Sequence, residues 1–131
     1  MAYGLGDNSK ILFIFDFGLA KKLPESEGKG KKGHHSPKNA QFCGTIRYGA
    51  SNSHFGLPSS YKDDLESLFY TIVDLFKRDL PWTKYEKDTA ITDKSDLCAI
   101  VGLAKNSIKS STLFSGMPEE FTVIFDYIRI L

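Results

Sequence analysis

The stretch SYKDDLESLFYTIVDLFKR, from Ser60 to Arg78, decides the fold of this 131-residue chain. Ser60 and Asp63 have the S-x-x-D spacing of a capping box, which predicts that a helix begins near Ser60. Apolar residues follow at helical spacing: Leu65, Leu68, Phe69, Ile72, Val73, Leu75 and Phe76. So wide an apolar stripe is typical of a helix that is buried between neighbours. The stretch therefore predicts a long central helix that ends near Lys77–Arg78.

Two further helices are predicted downstream of this central helix. The segment from Asp93 to Asn106 carries apolar residues on one face, and the segment from Pro118 to Leu131 begins with a proline suited to a first turn. Upstream, the aromatic and β-branched run from Lys10 to Phe15 predicts a buried strand, with Met1 to Tyr3 as its hairpin partner. We therefore expect an α+β fold that is mainly helical and has a short N-terminal β-hairpin.

Composition limits the classes of protein to consider. The apolar fraction of 41% and the charged fraction of 25% are ordinary for a globular domain. A formal net charge of +1 gives no reason to expect a nucleic-acid or membrane partner, and no apolar run is long enough to span a bilayer. Cys43 and Cys98 are too few for a disulfide framework, and the N-terminus lacks the features of a signal peptide. We therefore expect an intracellular protein, cytoplasmic or nuclear.

A candidate site for phosphate chemistry lies where the predicted strand ends. Asp16, Phe17 and Gly18 directly follow the run from Lys10 to Phe15. A carboxylate at the end of a strand can hold a hard cation such as Mg²⁺, which in turn binds phosphate oxygens. Gly18 is expected to let the backbone turn sharply, and Phe17 to anchor the turn. Taken alone, these three residues fit an ordinary turn after a strand as well as they fit a metal site.

The segment from Lys21 to Gln41 is predicted to be a long loop, because it offers nothing to a hydrophobic core. It contains the basic stretch from Lys29 to Lys32 and the pair His34–His35. We interpret its lysines as a solvated surface, with a nucleic-acid or localisation patch as the alternative. The histidine pair lacks a second pair of ligands for a metal ion, so we do not assign it a metal site.

Several motifs in this chain resemble those of one protein family. Asp16 to Lys22 (DFGLAKK) resembles the magnesium-binding motif of protein kinases, and specifically that of the casein kinase one family. Four more motifs are similar to that family's and come in the same order: Gly44–Tyr48 (GTIRY), Asn52–Gly56 (NSHFG), Asp63–Leu68 (DDLESL) and Leu80–Trp82 (LPW). Gly116 to Phe121 (GMPEEF) resembles the stretch before a later helix, especially in tau tubulin kinase and its relatives. The resemblance covers nearly the whole chain.

The resemblance implies the mainly helical C-terminal lobe of the protein-kinase fold, truncated at both ends. Residues 1–20 would hold the hairpin and the metal motif, 21–58 the activation segment and substrate loop, and 59–131 the helical part of the lobe. The activity implied is transfer of the γ-phosphate of ATP to serine or threonine of a protein, with Mg²⁺ as cofactor. In this comparison GLGDNS, from Gly4 to Ser9, is a hairpin turn and not the glycine-rich loop that covers the phosphates of ATP.

The resemblance also implies roles for individual residues. Asp16 to Gly18 would bind the nucleotide through Mg²⁺, with Asp16 as the metal ligand. Thr45 would contact the catalytic aspartate and help to place the substrate. Arg47 would line a basic pocket for the phosphate or acidic groups of a protein substrate. Asp64 would accept hydrogen bonds from the catalytic loop, although a favourable charge at a helix N-terminus also explains an aspartate there.

The same comparison shows what the sequence lacks. It contains no glycine-rich phosphate loop, no lysine on an early strand and no H-R-D type catalytic loop. We therefore expect the 131-residue chain by itself to be inactive although it is part of a kinase. The alternatives are a pseudokinase-type module that binds protein partners without phosphotransfer, and a stand-alone basic-loop binding module. A lobe fragment would also be marginally stable, with Phe69 and Phe76 on or near an uncovered face.

Overall fold

The computed structural model describes residues 2–20, 42–57 and 59–131. These residues fall into two compact units, Met1–Lys31 and Lys32–Leu131, which are considered separately. The basic stretch from Lys29 to Lys32 and the pair His34–His35 lie outside the described residues. The expectations about them therefore stay predictions.

The first unit contains a β-hairpin. β1 (Ala2–Tyr3) pairs in antiparallel fashion with β2 (Leu12–Phe13). The turn between the strands contains a short 3₁₀ helix at Gly6–Asn8, and the Gly4 amide donates a hydrogen bond to the Ile11 carbonyl at 3.0 Å. These contacts confirm that the GLGDNS stretch is the turn of a hairpin.

The prediction of a buried strand from Lys10 to Phe15 is wrong in both length and burial. Only Leu12 and Phe13 form β2, and every side chain from Ile11 to Phe15 is exposed. Within the described part of this unit, a two-stranded hairpin has no second layer to cover its faces. An aromatic and β-branched run indicates strand propensity, but it does not reveal what packs against the strand.

The second unit is helical. Its described residues form α1 (Ser51–His54), α2 (Tyr61–Lys77), α3 (Thr83–Glu86), α4 (Lys94–Ser107), α5 (Ser110–Leu113) and α6 (Glu119–Ile130). The long helices α2, α4 and α6 confirm the predicted ones, except that Pro118 lies immediately before the first helical residue of α6. No helix in the described segments combines the length and the apolar character that a bilayer crossing needs. The helices of this unit confirm the mainly helical character expected from the sequence.

The ends of α2 follow from its sequence. The Asp63 carboxylate accepts hydrogen bonds from the backbone N–H of Ser60 at 2.6 Å and from the Ser60 hydroxyl at 3.0 Å. This confirms the predicted capping box at the N-terminus. At the other end, Arg78 has a φ of 61°, the left-handed conformation in which helices commonly terminate.

Aromatic side chains make up a large part of the core of the second unit. The ring of Tyr70 on α2 lies 4.8 Å from that of Trp82 and 5.8 Å from that of Phe125 on α6, measured between centroids. Phe114 packs edge-on against Phe125 at 5.1 Å. All four side chains are at most 2% exposed. Edge-to-face packing of this kind adds to the stabilisation from burial alone, and it joins α2 to α6.

The prediction that Phe69 lies on an uncovered face is wrong, whereas the same prediction for Phe76 is confirmed. Phe69 is 8% exposed and packs against the rings of Phe114 and Phe125, while Phe76 is 60% exposed. Seven residues make about two helical turns, so the two side chains share one side of α2. α6 covers that side at Phe69 and leaves Phe76 open.

Candidate functional site

Asp16 makes the turn that follows the hairpin of the first unit. Its φ of 66° is in the left-handed region, and its Oδ1 accepts a hydrogen bond from the Gly18 amide at 3.3 Å. Aspartate tolerates this conformation because its carboxylate can bond to the backbone two residues further on. The sharp turn that was predicted at Gly18 is therefore made at Asp16, and Gly18 itself has no positive φ.

The residues around Asp16 fit only part of a magnesium site. Asp16, Phe17 and Gly18 are all exposed. In the segments that the structure describes, no three His, Cys, Asp or Glu side chains come together in a way that could hold a metal ion. Mg²⁺ is usually held by one or two carboxylates together with phosphate oxygens and water. Asp16 therefore fits the role of one ligand, and the hairpin does not supply a complete site.

In the second unit, the GTIRY motif forms a tight turn at residues 45–49, called here the 45–49 turn. The Thr45 carbonyl accepts hydrogen bonds from the amides of Tyr48 and Gly49, both at 3.0 Å. Thr45 is exposed, Ile46 is buried and Arg47 is half-buried. The turn thus presents Thr45 at the surface while Ile46 anchors it in the core.

Arg47 is paired with a carboxylate of the chain itself. Its Nε and Nη2 both donate to Oε2 of Glu86 on α3, at 2.9 and 2.6 Å. These bonds raise the pKa of Arg47 further above its already high value. The Arg47 carbonyl also accepts a hydrogen bond from Nε1 of Trp82 at 2.8 Å. The guanidinium that was predicted to face an anion pocket is therefore neutralised by Glu86 in this structure.

The two aspartates at the start of α2 have different environments. Asp63 is 2% exposed, and its Oδ1 accepts a hydrogen bond from the amide of Asn52 on α1 at 3.1 Å. Asp64 is an exposed residue. Its carboxyl group is nevertheless partly shielded from solvent, and this burial together with the charge of Asp63 raises its pKa. Asp63 therefore ties α1 to α2, whereas Asp64, which the resemblance predicts to accept hydrogen bonds from the catalytic loop, makes no such tie within the described residues.

A buried polar cluster, which the sequence reasoning missed, is centred on Lys105 of α4. Lys105 is fully buried, and its Nζ donates to the carbonyl oxygens of Ile46 at 2.6 Å and Gly49 at 2.7 Å. The same nitrogen lies 5.2 Å from the ring centroid of Tyr70 and 5.0 Å from that of Trp82. Carbonyl oxygens and ring faces both attract an ammonium group. Burial nevertheless lowers the pKa of Lys105 to about 7.

His54 links Lys105 to Cys98 inside this cluster. Its Nε2 lies 3.0 Å from Nζ of Lys105, and its Nδ1 lies 3.2 Å from Sγ of Cys98. Burial and the charge of Lys105 lower the pKa of His54 to about 4, so the imidazole is neutral at physiological pH. Burial also raises the pKa of the Cys98 thiol, which disfavours the reactive thiolate.

Glu66 of α2 is a buried carboxylate beside this cluster. Its Oε1 accepts hydrogen bonds from the Ser51 amide at 3.3 Å, the Ser51 hydroxyl at 2.8 Å and the Tyr70 hydroxyl at 2.5 Å. Burial and the neighbouring Glu66 carboxylate raise the pKa of Tyr70 far above its usual range.

One signal in the sequence pointed to the cluster. Lys105 comes four residues after Val101 and next to Ala104, so it falls within the apolar stripe of the predicted helix. A lysine at such a position usually extends its charged end to solvent, and for that reason the signal is easily discounted. The partners of Lys105 are distant in sequence and could not be inferred from the helix pattern.

A comparison with models of known protein families finds none that matches this chain. The motifs described above therefore have to be interpreted through the contacts that their residues make in the structure.

Proposed function

We propose that this chain is part of a serine/threonine protein kinase of the casein kinase one type, and that its helical unit is the substrate side of the kinase C-terminal lobe. ATP would be the phosphate donor, with Mg²⁺ as cofactor. The substrate would be a protein that is acidic or already phosphorylated. When bound, the metal would neutralise charge on the transferred phosphate, and Asp16 is the residue that would hold it.

The observation that carries this proposal is that the separate motifs bond to one another in pairs. The Arg47 carbonyl in GTIRY accepts from the Trp82 indole in LPW. The Asn52 amide in NSHFG donates to the Asp63 carboxylate in DDLESL. Short motifs that match a family by chance have no reason to be joined in pairs. Their convergence on one side of α2 supports a common origin for the set.

The geometry of the 45–49 turn suits recognition of a protein substrate. Thr45 is exposed on a turn whose carbonyls are fixed from inside, and Arg47 lies two residues further on. A planar guanidinium can bind a phosphate bidentately. A phosphate group carries nearly two charges at neutral pH, so it can compete with the single charge of Glu86 for Arg47.

A pseudokinase-type module that binds proteins without phosphotransfer is the second candidate. The pairing of Arg47 with Glu86 favours it, because a neutralised arginine is a weak anion site and a fixed surface suits a protein partner. In that case the 45–49 turn would have a structural role in the interface.

The test is a chimera in which residues 44–131 replace the equivalent segment of an active casein kinase one. We expect the chimera to phosphorylate an acidic peptide with Mg-ATP, and the 131-residue chain alone to show no turnover. Arg47→Ala in the chimera should lower kcat/KM for a pre-phosphorylated peptide at least about tenfold more than for an unphosphorylated one. Lys109→Ala, at an exposed lysine, is the control. A folded chimera without activity would reject the kinase proposal and favour the second candidate.

A further inference from the structure

Lys105 is a fully buried lysine for which the chain supplies three hydrogen-bond acceptors. These are the carbonyls of Ile46 and Gly49 and the Nε2 of His54. An ammonium group has three N–H donors, so the three acceptors match it in number. We propose that Lys105 is a positioning residue that fixes the 45–49 turn against α4. The proposal that Lys105 thereby affects substrate recognition rests on the proposed function. The proposal that Lys105 fixes the turn does not.

The contacts of Lys105 close the turn from its inner side. It bonds the carbonyls of Ile46 and Gly49, and Trp82 bonds the carbonyl of Arg47 between them. Three carbonyls of one turn thus point at two buried side chains from other parts of the unit. Removal of the amine would leave two of these carbonyls without a donor, and buried carbonyls rarely stay unpaired. The turn would then have to move towards water.

Trp82 reports directly on this arrangement. It is the only tryptophan of the chain, its indole N–H bonds to the turn, and its ring lies 5.0 Å from the Lys105 ammonium. A single indole resonance therefore monitors the turn without ambiguity of assignment.

The titratable groups around Lys105 determine how protons affect the turn. Burial lowers the pKa of Lys105 to about 7 and, together with the Lys105 charge, that of His54 to about 4. The Arg129 guanidinium of α6 donates to the Lys105 main-chain carbonyl at 2.6 Å. The other titratable groups around it are Glu66 and Tyr70 on α2, Glu86 on α3 and Cys98 on α4. Outside the cluster Lys105 and His54 would bind protons more tightly, so acid favours the released turn.

The proposal is tested by amide and indole hydrogen exchange on the full chain, followed by NMR. Lys105→Met keeps an unbranched side chain among the aromatic rings and removes the N–H donors. We expect the Tyr48 and Gly49 amides and the Trp82 indole to lose at least about tenfold in protection, the equivalent of one hydrogen bond to a charged group. Amides of α2 should keep their protection, because replacing a buried charge with an apolar group need not destabilise a core. Lys109→Met is the matched control and should change nothing.

Equal protection of the turn in Lys105→Met and wild type would overturn the proposal, and so would a uniform loss that includes α2. If Lys105→Met does not fold, the pH dependence of hydrogen exchange in the wild-type protein tests the proposal instead. As the pH falls from about 9 to about 7, between the ordinary pKa of Lys105 (10.5) and its lowered pKa (about 7), protection of the turn must fall relative to α2, and a constant ratio rejects the idea. None of these measurements involves kinase activity. An inactive chimera with a Lys105-dependent turn would therefore reject the proposed function and leave this inference standing.

Discussion

The imidazole of His54 accepts a hydrogen bond from the ammonium group of Lys105, with 3.0 Å between Nε2 and Nζ. An ammonium group can only donate, so Nε2 must carry the lone pair and Nδ1 the proton. That proton points at Sγ of Cys98, 3.2 Å away. The contact thus fixes one neutral tautomer of His54, and it explains why a charge on this imidazole is unfavourable in the folded protein.

The first prediction concerns stability in acid. We expect the free energy of unfolding to fall as the pH falls from about 6.5, where an unfolded histidine titrates, to about 4, the lowered pKa of folded His54. In this window the unfolded chain binds a proton that the folded chain does not, and protonation therefore favours unfolding. Urea midpoints measured across the window check the expectation. Because carboxylates also titrate near its lower end, His54→Gln is the reference: a wild-type curve parallel to that of the variant would contradict the prediction.

The second prediction concerns the alkaline side. The pKa of folded Lys105 is about 7 and its ordinary value is 10.5. Between these values the unfolded chain holds a proton that the folded chain lacks, so the free energy of unfolding should rise with pH throughout this range. Lys105→Met has no such group and should lack this rise. Thermal or urea unfolding of both proteins at several pH values measures the difference, and an equal rise in both would show that other groups cause it.

The third prediction separates the two aspartates at the start of α2. Asp63→Ala removes the capping box and leaves the partly buried side-chain amide of Asn52 without its acceptor. We expect a loss of about 2–4 kcal/mol in the free energy of unfolding, of which about 1 comes from the cap and the rest from the unpaired amide. Asp64→Ala is the matched control and should change stability by less than about 1 kcal/mol, because only a helix N-terminal charge is lost. Chemical denaturation of both variants decides, and equal losses would show that the two carboxylates are equivalent.

The long helices could be predicted because their signals are local. The S-x-x-D pair at Ser60 and the apolar spacing through Phe76 lie within α2 itself, and both need only the helical period to be interpreted. The contacts of the candidate site are not local: Arg47 meets a carboxylate 39 residues away, and Lys105 meets a carbonyl 59 residues away. No periodicity relates such pairs. The burial of a residue is equally non-local, and for this reason the sequence does not show that α6 covers Phe69.

The fourth prediction follows from the burial of Phe69 and the exposure of Phe76. Phe69→Ala should destabilise the chain by about 3–5 kcal/mol, since it empties a site among three aromatic rings. Phe76→Ala should change stability by no more than about 0.5 kcal/mol, as is usual for surface positions, and should reduce the binding of a dye that detects exposed apolar surface. Urea unfolding and dye fluorescence measure the two effects. A large destabilisation by Phe76→Ala would mean that this side chain is covered in solution.

The last prediction tests whether Arg47 can serve as an anion site. Glu86→Gln keeps the size of the partner side chain and removes the charge that competes with an anion. We expect the affinity for a phosphopeptide to rise by about tenfold, the worth of one charge-assisted hydrogen bond, and to be lost in Glu86→Gln combined with Arg47→Ala. Calorimetry at low salt is suitable, because salt screens such half-exposed charges.

Asp88→Asn is the control for the change in net charge, because Asp88 is exposed and its carboxylate bonds only a nearby backbone amide in the described residues. A gain in phosphopeptide affinity that is specific to Glu86→Gln means that the anion and Glu86 compete for one guanidinium. Equal gains in both variants would mean that net charge alone attracts the peptide. No gain in either variant would make Arg47 a structural residue that holds α3 to the 45–49 turn, and the anion pocket would then have to be withdrawn from the proposed function.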